Sequence, residues 1–236
     1  MKTSTKLLLV GALILIVSLA TYNVALRAEY NRGEFRNPYR DYSALTLRDF
    51  DEVEVAPGSR LNVTLEAGPF AVWQHQKLDS VRVEQVGQRL RLTDLHKGGR
   101  RRYEADIVVR CPRLAGVAVN APGANGRRWP ETDQTAAVRI KGFRQDSLFV
   151  TADQAASVAL ADNQLRSLRV VAGAAPGSTA EVSIAQNNTI DAARLDFRHR
   201  SSFTLDALTI PDLRYQFADS ARASLPASAL QVLARH

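Results

Sequence analysis

The side chains best placed to hold an anion fall in three parts of this chain. HKGGRRR, His96–Arg102, carries four fixed positive charges in seven residues, three of them Arg100, Arg101 and Arg102. Such a loop suits attachment to anionic headgroups or acidic glycans, each basic residue near that surface contributing about 1 kcal/mol. The plainer reading is a solvated hairpin loop bent by its glycines. NGRRW, Asn125–Trp129, is a second basic tip with an aromatic that could stack on a sugar ring. Farther on, Arg169, Asp196 and Arg214 each stand between apolar neighbours, as outward residues of alternating strands do. If those strands stack, the three form one column with Phe149 at steps of about 4.8 Å, with Asp196 between two arginines. Arginine forks in that column would suit an anionic or carbohydrate ligand. The plainer reading is an exposed salt-bridge ladder contributing at most about 1 kcal/mol per pair, and it is the first expectation.

Catalytic chemistry has less to stand on. Asp153, Asp162, Asp206 and Asp219 follow strands but are dispersed along the chain, without metal-ligand spacing. His199 lies between Arg198 and Arg200 with no nucleophile placed beside it, and no phosphate loop or nucleophile elbow is present. Cys111 is the single cysteine, so neither an intrachain disulfide nor a cysteine-built zinc site can form. No catalytic, cofactor-binding or metal-binding residue is expected.

The elements that must position these side chains are strands. From Leu45 onward nearly every apolar run alternates with period two, as in LNVTLEA, SVRVEQV, RLRLTDL and ADIVVRC, and turn residues such as Gly68-Pro69 and Gly87-Gln88 separate them. After about residue 135 the runs recur. Val158 and Leu160, Val182 and Ile184, Phe203 and Leu205, and Ala223 and Leu225 form one inward set, at spacings of 24, 21 and 20 residues. Leu148 and Val150, Leu168 and Val170, Leu195 and Phe197, and Leu213 and Tyr215 form a second. Two short strands per unit of about 20–24 residues predict an all-β, single-domain parallel β-solenoid over residues 45–236, each coil buried only by its neighbours. An antiparallel β-sandwich is the alternative. Outward residues of the first set, Ala159, Ser183, Thr204 and Ser224, would form a small hydroxyl-bearing strip.

Ahead of the strands, Lys2 and Lys6 precede an uncharged run from Leu7 to Leu26. As a helix this run spans roughly 30 Å, the thickness of a bilayer core. It reads as a transmembrane signal-anchor over residues 7–26, after a cytoplasmic N-terminus (1–6) and before a juxtamembrane linker (27–44). A cleaved signal peptide ending near Ser18–Ala20 is the competing reading. The chain carries 31 Lys and Arg against 24 Asp and Glu, a net +7 that suits anionic glycan or lipid. The charges are dispersed rather than gathered in a stripe, so nucleic acid is not expected.

FDEVEVAPGSRLNVTLEAGP, RLRL and ADIVVRCPRLAGVAVNAPGAN, with the later repeats, resemble the auto-transporter adhesin, head GIN domain family from about Leu47 to Leu233. Ile107, Val109, Pro112, Leu114, Val117 and the small residues around Gly123 match the family's strand-and-turn element. The resemblance implies a right-handed β-helix and a bacterial exported protein, with adhesion as its functional analogy. The family's Gly/Ser-rich turns are replaced here by ADQAAS, AGAAPGS and RHRSS, so no ligand contact is carried over to them. The expectation is a non-catalytic, inner-membrane-anchored module in the periplasm, binding glycan, lipid or protein. The alternative is a β-helix enzyme acting on an acidic polysaccharide. Self-association through an exposed terminal coil is a further expectation, because the chain ends in SALQVLARH with no amphipathic helix to cover the last coil.

Overall fold

A computed structural model of the protein describes residues 2–33, 39, 42–56, 61–75, 81–95, 106–120, 136–218 and 220–226. Arg100, Arg101 and Arg102, the Asn125–Trp129 tip, Asp219 and the stretch from residue 227 onward lie outside these. The chain divides into two compact units, Met1–Tyr42 and Ser43–His236.

The first unit is a helix, α1 (Lys2–Arg32). It is apolar on all sides rather than amphipathic, the pattern of a membrane span or signal sequence. Its stretch Leu9–Asn31 is long enough to cross a bilayer, and the most apolar 18 residues within it have a mean hydropathy of 2.2. The Thr21 hydroxyl donates to the Val17 carbonyl at 2.7 Å, which satisfies a polar group that lipid could not.

The second unit contains, among the described residues, 17 strands: β1 (Tyr42–Leu45), β2 (Glu52–Val55), β3 (Asn62–Ala67), β4 (Ala71–His75), β5 (Val81–Val86), β6 (Arg89–Asp94), β7 (Asp106–Cys111), β8 (Gly116–Asn120), β9 (Ala136–Lys141), β10 (Arg144–Asp153), β11 (Ala156–Ala161), β12 (Gln164–Ala172), β13 (Glu181–Ile184), β14 (Thr189–Phe197), β15 (Ser202–Leu205), β16 (Asp212–Phe217) and β17 (Arg222–Ser224). They form a nine-stranded sheet, β1-β4-β7-β3-β9-β11-β13-β15-β17, and an eight-stranded sheet, β16-β14-β12-β10-β8-β2-β6-β5.

From β9 the chain visits the two sheets alternately, and each strand pairs in parallel with the strand two places on. In the nine-stranded sheet Val158, Val182, Phe203 and Ala223 stand in one column, at the 24-, 21- and 20-residue intervals read from the sequence. In the eight-stranded sheet the intervals are 20 (Leu168 on Leu148), 25 (Ala193 on Leu168) and 20 (Leu213 on Ala193). Apolar columns from both sheets point inward and merge into one core, in which Val158, Val170, Val182, Leu195, Phe197 and Phe203 are at most 1% exposed.

The N-terminal strands depart from the simple repeat expected over 45–236. β4 runs antiparallel to β7, and β5 antiparallel to β6, so both sheets are mixed. Strand order is also non-sequential, with β3 between β7 and β9 and β2 between β6 and β8. The hairpin has a local cause: Gly87, with φ of 62°, supplies the positive φ that a two-residue turn of Gly87-Gln88 needs.

Two asparagines at a corner between the sheets fix how successive coils meet. Asn163 and Asn188, 0% and 3% exposed, immediately precede β12 and β14. Asn163 Oδ1 accepts the Phe143 N–H at 3.1 Å, and Nδ2 donates to the Ile140 carbonyl at 3.0 Å and to Asn188 Oδ1 at 3.0 Å. Asn188 Oδ1 also accepts the Asn163 backbone N–H at 3.0 Å, and its Nδ2 donates to the carbonyls of Leu160 and Ala185. Each side chain thus bridges to backbone of the preceding coil, satisfying groups that would otherwise be buried unpaired.

Candidate functional site

β12, β14 and β16 alternate inward and outward residues, so their outward positions form columns across the eight-stranded sheet. Arg169 pairs with Phe149 on one side and Arg194 on the other, and Arg194 pairs with Arg214. The column is therefore Phe149, Arg169, Arg194, Arg214. Asp196, expected between the two arginines, instead pairs with Val171 and Gln216 in the next outward column. The cause is the 25-residue interval between β12 and β14, which moves Arg194 rather than Asp196 into line. A two-residue slip leaves every side chain on its proper face, because the side-chain period of a strand is two.

With Asp196 displaced, the expected salt-bridge ladder does not form. Asp196 takes a forked pair from Arg198, Nε to Oδ1 at 3.0 Å and Nη2 to Oδ2 at 2.6 Å. Arg214 Nε donates to Asp212 Oδ1 at 3.1 Å. The Arg169 guanidinium lies 5.3 Å from the centre of the Phe149 ring. Neither Arg169 nor Arg194 has an acidic partner among the described residues. The three arginines, with Asp196, Tyr215 and Gln216, line a shallow groove of about 240 Å³.

The far end of the same face is built differently. There Glu52 pairs in register with Arg89 and Glu54 with Arg91. Arg89 reaches Glu52 at 2.8 Å and Glu54 at 3.6 Å, and Arg91 reaches Glu54 at 3.7 Å. Between the two ends the columns carry only Gly116, Ala118 and Thr151 beside Phe149. One end of the face is thus neutralised strand by strand, whereas at the other three arginines stack and, among the described residues, only Arg214 has an acidic partner, Asp212.

The other outward features read as structure. Ala159, Ser183, Thr204 and Ser224 do form one column, as expected, and Arg139 extends it past Ala159. Glu66 is held by Arg110 at 2.8 Å and Lys141 at 2.9 Å, and Arg110 lies over the Trp73 ring at 4.9 Å. Burial would push the Glu66 carboxyl up, but hydrogen bonds from Lys141 and Arg110, with their charges, hold it below the usual range. Burial, with a smaller contribution from the Asp51 charge, pushes the Cys111 thiol up to about 12. Asp153 accepts the Ala175 N–H at 2.9 Å, and Asp162 accepts from Asn187 at 2.6 Å, so both serve turns. Among the described residues no three of His, Cys, Asp and Glu gather as a metal-holding set.

In fold the chain is similar to two crystal structures of candidate adhesins. One, from Parabacteroides distasonis, superposes with a TM-score of 0.57 at 14% identity, over 77% of this chain and 71% of that one. The other, from Bacteroides fragilis, gives 0.51 at 13% identity, over 78% of this chain and 96% of that one. At these identities the likeness is one of fold. No protein-family model matches the chain, and no curated protein does.

Proposed function

We propose that this protein is a non-catalytic binding module of the bacterial cell envelope, in which α1 anchors residues 45–236 to the inner membrane and the β-domain is exported to the periplasm. The β-domain is a scaffold of the head GIN, right-handed β-helix kind, and its outer faces contact glycan, lipid or protein. Its contact residues are Arg169, Asp196 and Arg214 on the eight-stranded sheet and the Arg100–Arg102 loop. Self-association through the terminal coil belongs to the same reading.

The observation that carries this reading is the union of an all-round apolar N-terminal helix with a two-sheet stacked β-domain whose fold is shared with the two candidate adhesins. The acids on successive coils support a binding role over catalysis, since Asp153 and Asp162 are engaged in separate turns rather than converging on one groove. Protease accessibility of a C-terminally tagged chain, in intact cells and in spheroplasts, tests the placement. Digestion only after the outer barrier is opened, with full-length protein retained in the membrane pellet through alkaline extraction, is the expected result. Protection in spheroplasts would place the domain in the cytoplasm and refute the proposal.

A further inference from the structure

We infer that the Arg169–Arg194–Arg214 column is a binding site for a single chain of acidic polysaccharide lying across β12, β14 and β16. This deepens the envelope-binding reading and rests on it for its biological setting. Arg194 is the residue that changes the chemistry. With an acid in its place the column would neutralise itself, as Glu52 and Glu54 do with Arg89 and Arg91. With arginine there, three guanidinium groups repeat at the strand spacing of about 4.8 Å over roughly 10 Å. Such a row matches anions that themselves repeat along an extended chain, and arginine forks match carboxylates in particular.

The surroundings of the row favour a thin chain over a broad surface. Asp212 lies one outward column to one side and Asp196 one column to the other, each about 7 Å away along the strands. A planar anionic membrane pressed onto this face would meet both carboxylates along with the arginines, whereas a single chain follows the row between them. An exposed aromatic ring, Phe149, closes the row at one end, in the column itself and 40% exposed. It offers apolar surface to sugar rings, which an acidic peptide does not present.

The test uses the full chain in a non-ionic detergent with four probes: polygalacturonate, neutral dextran, polyglutamate and phosphatidylglycerol vesicles. Polygalacturonate should bind in a salt-sensitive manner and outcompete polyglutamate, and dextran should not bind. Arg194→Ala should weaken polygalacturonate binding about tenfold or more, the loss of one charge-assisted contact, and Arg194→Glu should abolish it. Arg89→Ala, at the neutralised end, should leave binding within about twofold of wild type. Melting curves separate folding from binding: Arg194→Ala relieves like-charge repulsion, so its melting temperature at low salt should be no lower than that of wild type. Absent polygalacturonate binding, equal binding by Arg194→Glu, or equal or tighter binding of polyglutamate or vesicles through Arg194 would overturn the inference. Localisation fails separately: a cytoplasmic chain that binds polygalacturonate refutes the envelope reading alone, and a periplasmic chain that does not bind it refutes the site alone.

Discussion

Replacing Asn163 tests whether the corner asparagines set the register of the arginine-bearing strands. Asn163→Ala removes the acceptor of the Phe143 N–H and the donors to the Ile140 carbonyl and Asn188 Oδ1, all within a site that is 0% exposed. The Phe143 N–H is orphaned, at about 1–3 kcal/mol, and the two other bonds and the space left behind raise the cost to about 3–5 kcal/mol. For a domain of this size that is a fall in melting temperature of roughly 6–20 °C. The loss is a large fraction of typical stability, about 5–15 kcal/mol. Asn163→Asp sharpens the test. The acceptor for Phe143 survives, but an oxygen now faces the Ile140 carbonyl and Asn188 Oδ1. Burial would raise that group's folded pKa above its unfolded value, so the variant should be destabilised at neutral pH and recover as pH falls and the carboxyl protonates. Thermal melts followed by circular dichroism, taken at neutral and mildly acidic pH, measure both effects. A melt of Asn163→Ala within about 2 °C of wild type, or an Asn163→Asp variant insensitive to pH, would refute the structural role assigned to the pair.

Four further outcomes follow from the packing. Val182→Asp and Phe203→Asp each put a charge at a position 1% exposed and should leave no cooperative melt, whereas wild-type-like melts would place those columns in solvent. Gly173 has a φ of 78°, and a Cβ there would clash with both the Arg198 carbonyl oxygen and Ser201 Oγ; Gly173→Ala should cost about 2–5 kcal/mol, read by denaturant unfolding. The Glu66 carboxyl has its pKa lowered on folding, so its contribution is present above the unfolded value and is lost as pH falls through the folded one. Glu66→Gln should therefore lower stability at neutral pH and flatten the acid limb of the stability curve, and an unchanged limb would show the carboxylate to be unpaired in solution. Cys111, buried and with its thiol raised to about 12, should resist maleimide in the native state at mildly alkaline pH and react fully after unfolding in urea.

The later part of the nine-stranded sheet, from β11 to β17, was legible because most of its inward residues are large and evenly spaced. Val158, Val182 and Phe203, each followed two residues later by a large aliphatic residue, leave no second alignment of comparable quality. The eight-stranded sheet misled for a physical reason. In β14 the inward residues are Ala193, Leu195 and Phe197, and the small Ala193 stands out less than the other two, so Leu195 and Phe197 align by eye with Leu168 and Val170. The true partners, Ala193 and Leu195, lie two residues earlier. Because both alignments bury the same face, hydrophobic periodicity cannot choose between them or single out Arg194. The signal that could have found it is the spacing of the buried corner asparagines: Asn163 to Asn188 is 25 residues, the interval that separates β12 from β14. β4, in FAVWQH, escaped because Trp73, Gln74 and His75 do not alternate cleanly, and its partner β7 lies far along the chain.

From β9 onward, the alternate passage of the chain between two sheets through parallel pairings also bears on how such a protein can change over generations. An in-frame duplication of one coil of about 20 residues would add one strand to each sheet and leave the existing ladders intact. Duplicating the coil that carries Arg194 would lengthen the cationic row by one step of about 4.8 Å. Affinity for a repeating ligand would then rise by increments, through multivalency along one chain. Binding strength and reach in this architecture are thus adjustable by whole-coil gain or loss, without the redesign of any existing contact.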